Sequence, residues 1–152
     1  MAEVLAMVNG IIGWMARLGR ACGGGEGPAR DGAPGKPVES LVTDLKSGSL
    51  PARRAAARAL GEAGDERAVE PMIEALQESR DFRLKEDVIT ALGKLGDPRA
   101  VDPLIAKLKD RGEDFYLRKK AAYTLYAIYR QGRLDEEARE KVLSLWHSWY
   151  LL

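Results

Sequence analysis

An all-α fold is what this sequence predicts: a short α-solenoid of about three helix pairs, closed by a C-terminal capping helix and preceded by an amphipathic helix on a flexible linker. Three observations predict it. A motif recurs at offsets of 31 and 32 residues from Val38 onward. Apolar residues inside each copy keep a helical spacing. Glycine and proline crowd into residues 1–37, which hold nine of the sixteen glycines.

Taking the elements in order, residues 1–18 come first. Val4, Leu5, Met7, Val8, Ile11, Ile12, Met15 and Leu18 form one broad apolar stripe at helical spacing. The stretch falls short of the ~20 apolar residues that a spanning helix needs, and Glu3 and Asn9 interrupt it. No basic residue precedes the apolar part, so it makes a poor signal peptide. Three readings stay open: a helix that covers the end of the following domain, one that docks on another protein or a second copy, or one that lies in a membrane interface. Residues 19–37, Gly-Arg-Ala-Cys-Gly-Gly-Gly-Glu-Gly-Pro-Ala-Arg-Asp-Gly-Ala-Pro-Gly-Lys-Pro, read as a linker, because glycine is costly to order and proline removes a donor. As a Gly-rich coil its ends lie roughly 24 Å apart. The three consecutive glycines lack the preceding strand and the Lys-Ser/Thr pair of a phosphate loop.

The repeat domain spans residues 38–152, with units at 38–68, 69–100 and 101–133 and a cap at 134–152. Val38-Glu-Ser-Leu-Val-Thr-Asp-Leu45 aligns with Val69-Glu-Pro-Met-Ile-Glu-Ala-Leu76 and with Val101-Asp-Pro-Leu-Ile-Ala-Lys-Leu108. Ala59-Leu-Gly-Glu-Ala-Gly-Asp65 matches Ala91-Leu-Gly-Lys-Leu-Gly-Asp97, and Thr124-Leu-Tyr-Ala-Ile-Tyr-Arg130 is a third, degenerate copy. Each unit resolves into a first helix, carrying Leu41, Val42 and Leu45 or their equivalents, and a second carrying Ala56, Ala57 and Leu60 or theirs. Ser49, Asp81 and Asp114 stand where they would cap the second helices, and Asp97 before Pro98 starts the third unit. Gly64 and Gly96 suit the left-handed residue that ends a helix. Pro71 and Pro103 are expected to kink the first helices. In the last segment Asp135-Glu-Glu opens a helix whose stripe of Ala138, Val142, Leu145, Trp146 and Trp149 covers the end of the stack. One helix pair cannot bury its own apolar face, so stacking of units supplies the core.

Two of these copies carry the run Asp-x-Arg-Ala-Val-x-Pro-Met/Leu-Ile, at Asp65 and Asp97, and the Ala-Leu-Gly-x-x-Gly-Asp signature. Over roughly residues 38–133 this resembles the HEAT-like repeats of the phycobilin-lyase type. The resemblance is specific for fold and unspecific for function, since such repeats serve scaffolds, lyases, hydroxylases and a class of DNA glycosylase.

Composition and charge then narrow the chemistry. One cysteine, Cys22, and one histidine, His147, exclude a disulfide framework and a multi-ligand Cys/His zinc site. No nucleophile has a histidine at a defined offset, and no His-Glu dipeptide exists for a di-iron hydroxylase of this architecture. Residues 38–152 carry twenty basic and twenty acidic side chains, which argues against a nucleic-acid face. In this family the second helices resemble a lining for the concave surface. Its solvent-side row is Arg54, Arg58 and Glu62, then Glu86, Thr90 and Lys94, then Lys119 and Tyr123, with Phe82, Phe115 and Tyr116 as loop aromatics. Arg53, Lys85 and Arg118 recur at one position and are expected to bridge units through Asp65 and Asp97.

The reading is therefore a non-catalytic interaction scaffold, in the cytoplasm, with no catalytic residue, metal or cofactor. It binds a segment of a protein partner, not nucleic acid, through Arg54, Arg58, Lys119 and Tyr123. The alternatives are bilin-lyase-like chromophore handling, or a role as an accessory subunit of an enzyme, and a membrane-tethered adaptor acting through residues 1–18.

Overall fold

Helix-forming stretches separated by capping signals give seven α-helices in the computed structural model, which describes residues 36–150 and the side chains through residue 145. They are α1 (Val38–Ser47), α2 (Leu50–Ala63), α3 (Val69–Glu78), α4 (Phe82–Leu95), α5 (Val101–Lys109), α6 (Phe115–Arg130) and α7 (Glu136–Tyr150). The chain divides into two units, Met1–Arg30 and Asp31–Leu152, and the described residues belong to the second. The apolar stripe of residues 1–18, the Gly/Pro-rich stretch to residue 35 with Cys22, and the side chains of Trp146, His147 and Trp149 lie outside the described residues.

Helices α1/α2, α3/α4 and α5/α6 pack as three successive pairs. Asp81 accepts from the Leu84 amide at 2.7 Å and Asp114 from the Tyr116 amide at 2.7 Å, each capping a second helix. Ser49 occupies the same position without a side-chain cap. Gly64 and Gly96 end α2 and α4 at φ 68° and 64°, a conformation that costs an L side chain a Cβ clash. Pro71 and Pro103 produce a different feature from the expected mid-helix kink. Each is the third residue of its α-helix, in the first turn, where an amide has no intrahelical acceptor. A 3-10 turn, Glu66–Ala68 or Pro98–Ala100, precedes the helix, and the change of winding is taken up at that junction.

One contiguous core runs the length of the stack. Leu45, Leu60, Met72, Leu76, Leu84, Leu92, Leu104 and Ile128 are all fully buried. At the C-terminal end Leu134 and Val142 are buried and Ala138 packs against the core, so α7 closes the last pair. Asp135 starts that helix by accepting from the Ala138 amide at 2.8 Å.

The second helices approach one another far more closely than the first helices do. Gly61 and Gly93 make this possible. A Cβ on Gly61 would lie 2.7 Å from Ala91 Cβ, and one on Gly93 would lie 2.9 Å from Thr124 Cγ2. The closely spaced α2, α4 and α6 form one row, the inner side of the stack, beside a wider row of first helices.

The outer edge is tied by a ladder of charges between successive units. The first-turn acids Glu39, Glu70 and Asp102 of α1, α3 and α5 meet Arg67, Arg99 and Lys141, which lie beyond the second helix of each pair, at 2.6, 3.5 and 3.5 Å. Asp65 and Asp97 hold Arg67 and Arg99 in place, through hydrogen bonds that also lower both carboxyls below their ordinary range. These aspartates thus do not pair with the recurring cations Arg53, Lys85 and Arg118. Arg53 donates instead to the Leu45 carbonyl at 2.8 Å and Arg118 to the Leu108 carbonyl at 3.1 Å, satisfying the last turns of α1 and α5. Lys85 pairs with Glu113 of the next loop at 2.7 Å.

Candidate functional site on the inner face

Helical periodicity places four rows across the inner face, one residue of each row on each second helix. From the amino-terminal end of these helices they are Leu50, Phe82 and Phe115; Arg54, Glu86 and Lys119; Arg58, Thr90 and Tyr123; Glu62, Lys94 and Ala127. The candidate binding residues Arg54, Arg58, Lys119 and Tyr123 all lie in the two middle rows, on the helices at either end of the face.

The geometry divides them into two pairs. Arg54 Nε donates to Asp87 at 2.7 Å, and Arg58 approaches the same carboxylate oxygen at 3.6 Å. Asp87 is largely covered, with its side chain 15% exposed, so two arginines of α2 converge on one carboxylate of α4. Lys119 and Tyr123 pair with each other: the ammonium sits 5.8 Å from the ring centroid, and Tyr123 is 40% exposed. Lys119 is an exposed cation with its charge directed at solvent and an aromatic face.

Beside Asp87, Glu86 serves the other neighbouring helix. It accepts from Tyr116 Oη at 3.2 Å and Lys120 Nζ at 3.3 Å, and it meets Arg83 at 3.3 Å. Burial alone would push the Glu86 carboxyl up; the charge of Lys120 and the hydrogen bonds from Lys120, Tyr116 and Arg83 outweigh it and hold the group below its ordinary value. The adjacent carboxylates of α4 therefore hold α2 on one side and α6 on the other. Asp87 and Lys120 escaped the sequence reading because their register equivalents in the first unit and in each other's units are Ala55, Lys120 and Asp87. A repeat search finds what recurs, and this pair does not.

A cavity of about 160 Å³ lies at the opposite end of the second helices, lined by Gly64, Glu66, Val69, Leu95, Asp97 and Arg133. It is well below the ~300 Å³ that encloses a drug-sized ligand. Among the described residues, no three His, Cys, Asp or Glu side chains are placed to hold a metal ion, and no helix is long and apolar enough to cross a membrane.

Comparison with known proteins bears on this surface. The family model for HEAT repeats matches residues 38–126. No curated protein matches the chain. Among solved structures, the complex of CpcE and CpcF of phycocyanin lyase from Nostoc sp. PCC7120 is similar, at 32% identity and a TM-score of 0.60. The match covers 80% of this chain and 46% of that one, so the chain spans about half the length of that relative. The expectation of a chain that catalyses nothing is corrected by this match, because the similar protein is part of a lyase. Absence of a recognisable nucleophile or metal set was the ground for that expectation. It is a poor ground in a repeat fold, where chemistry can belong to a bound pigment and a second chain.

Proposed function

The chain belongs to the HEAT-repeat family, and on that premise we propose that it is a bilin-lyase-type protein, one member of a protein complex that handles an open-chain tetrapyrrole. The observation that carries this reading is the likeness, at 32% identity, to a chain of the phycocyanin lyase complex. The inner face supplies the groups such a pigment needs. A bilin is a flat conjugated system with two carboxylate arms, so it asks for an aromatic surface and for separated cations. Tyr123 with Lys119 offers the first together with one cation. Arg54 and Arg58 offer the second on the far side of the face, once a carboxylate arm competes with Asp87 for them. The pigment lies on the open inner face; the cavity beside Gly64, Leu95 and Arg133 is too small to hold it. A second protein then covers its exposed side, in keeping with a likeness to a chain from a two-protein complex.

Titration of the full chain with a free bilin, followed by absorbance, tests this. The expected result is a saturable shift of the pigment band, weakened about tenfold when Lys119 and Tyr123 are both replaced by alanine. A pigment spectrum unchanged by excess protein overturns the reading.

A further inference from the structure

Five large apolar side chains are exposed among the described residues, and three of them belong to one helix: Phe115, Tyr116 and Tyr123 of α6. Phe115, the first residue of α6, is 67% exposed, the most of the five. The helix is already capped by Asp114, so nothing in the helix itself calls for an exposed aromatic ring at its first position. Tyr116 beside it is 51% exposed and leans on Phe82 of α4, with ring centroids 5.9 Å apart. An aromatic ridge thus crosses from α4 to α6 at the amino-terminal ends of the second helices.

The charges that lie over the rings of this ridge are cations. Arg83 lies 5.8 Å over the Phe82 ring with its side chain 67% exposed, Lys120 lies 6.0 Å over the Tyr116 ring, and Lys119 stands one turn on from Phe115. The carboxylate among them, Glu86, is mostly covered and already accepts from Tyr116, Lys120 and Arg83. Asp81 and Asp114 point their carboxylates at the amides of α4 and α6. Exposed rings with cations over them, beside acids already engaged by helix amides and neighbouring cations, match an acidic surface that brings its own apolar side chain.

We propose that this ridge is a docking site for an acidic segment of a partner protein, with Phe115 as the apolar anchor and Arg83 and Lys119 as the flanking cations. The site lies at the edge of the inner face and shares Lys119 with the proposed pigment surface, whereas Phe115 and Arg83 belong to it alone.

Fluorescence anisotropy with a labelled synthetic peptide of glutamates interspersed with leucines tests it, against a peptide in which lysine replaces each glutamate. The expected result is saturable binding of the acidic peptide alone, weakened at least about tenfold by Phe115→Ser and by Arg83→Glu, and reduced by salt. Both side chains are largely exposed, so circular dichroism melts of these variants should match the parent. Equal binding of the basic peptide, or variants that bind as the parent does, overturns the proposal. So does binding confined to anionic vesicles or to a single-stranded oligonucleotide, each assayed with the same proteins. A flat bilin titration with intact peptide binding removes the pigment reading and leaves this one standing.

Discussion

Replacing Gly61 by alanine tests the close approach that makes α2, α4 and α6 one surface. The added Cβ would meet Ala91 Cβ at 2.7 Å and Ala91 Cα at 2.8 Å. Carbon atoms in contact settle at about 3.5–4.0 Å, so the shortfall is about 1 Å. Neither obstructing atom can rotate away, since one is backbone and the other is fixed to it. Relief must come from moving α2 off α4, which loosens the packing of Leu60 and Leu92, both fully buried. Overpacking of this kind costs about 1–3 kcal/mol. Against it stands the gain of about 1 kcal/mol for alanine over glycine inside a helix. The net expectation is a loss of about 0–2 kcal/mol, measured by urea denaturation. Gly93→Ala provides an internal reference. There the near atom is a side-chain methyl, Thr124 Cγ2 at 2.9 Å, with the next atoms at 3.7 Å, and a rotation of the threonine can give way. Gly93→Ala should be the more stable of the two variants by about 1 kcal/mol. If Gly61→Ala stabilises the protein by the full propensity gain, or costs less than Gly93→Ala, the tight-contact argument is wrong.

Three further outcomes follow from the same geometry. Leu92→Ala, at the middle of the stack and fully buried, should cost about 2–5 kcal/mol in urea denaturation, and a parent-like curve would contradict the register assigned here. Asp87→Asn releases Arg54 and Arg58 for an anionic arm of the pigment, and a gain of about 1 kcal/mol corresponds to about fivefold tighter bilin binding in the absorbance titration; weaker or unchanged binding would show that these arginines do not meet it. Glu113 gives a pH signature. Burial alone would raise its carboxyl, but hydrogen bonds and charge from Lys85, with the Asp114 amide and Lys107, hold it below its ordinary value of 4.5. Its contribution is therefore complete above that value and is lost as the pH falls through the lower, folded-state value. The urea midpoint should drop on acidification through that window, and Glu113→Gln should flatten the drop.

Local signals in the chain determine a good deal of this protein. Apolar spacing sets three helix pairs and a closing helix, since a 3.6-residue period buries one stripe of each helix. Asp81, Asp114, Gly64 and Gly96 mark helix ends because capping and left-handed backbone are settled within a few residues. The candidate residues Arg54, Arg58, Lys119 and Tyr123 could be placed on the solvent side of the second helices for the same reason.

Contacts between helices were decided by tertiary structure. Arg53 and Arg118 recur at one position and look like cations in search of aspartates, yet they end on the carbonyls of Leu45 and Leu108. The Lys85 side chain at that same position finds Glu113, a loop residue that has no acidic counterpart in the other units. Arg54 and Arg58 converge on Asp87, which is 33 residues from Arg54 and does not recur either. A repeat tells which side of a helix a residue occupies. It does not tell how near the next helix comes, or which atoms then face each other across the gap. That distance depends on the bare backbone of Gly61 and Gly93 meeting Ala91 and Thr124, a three-dimensional fit between residues about thirty positions apart.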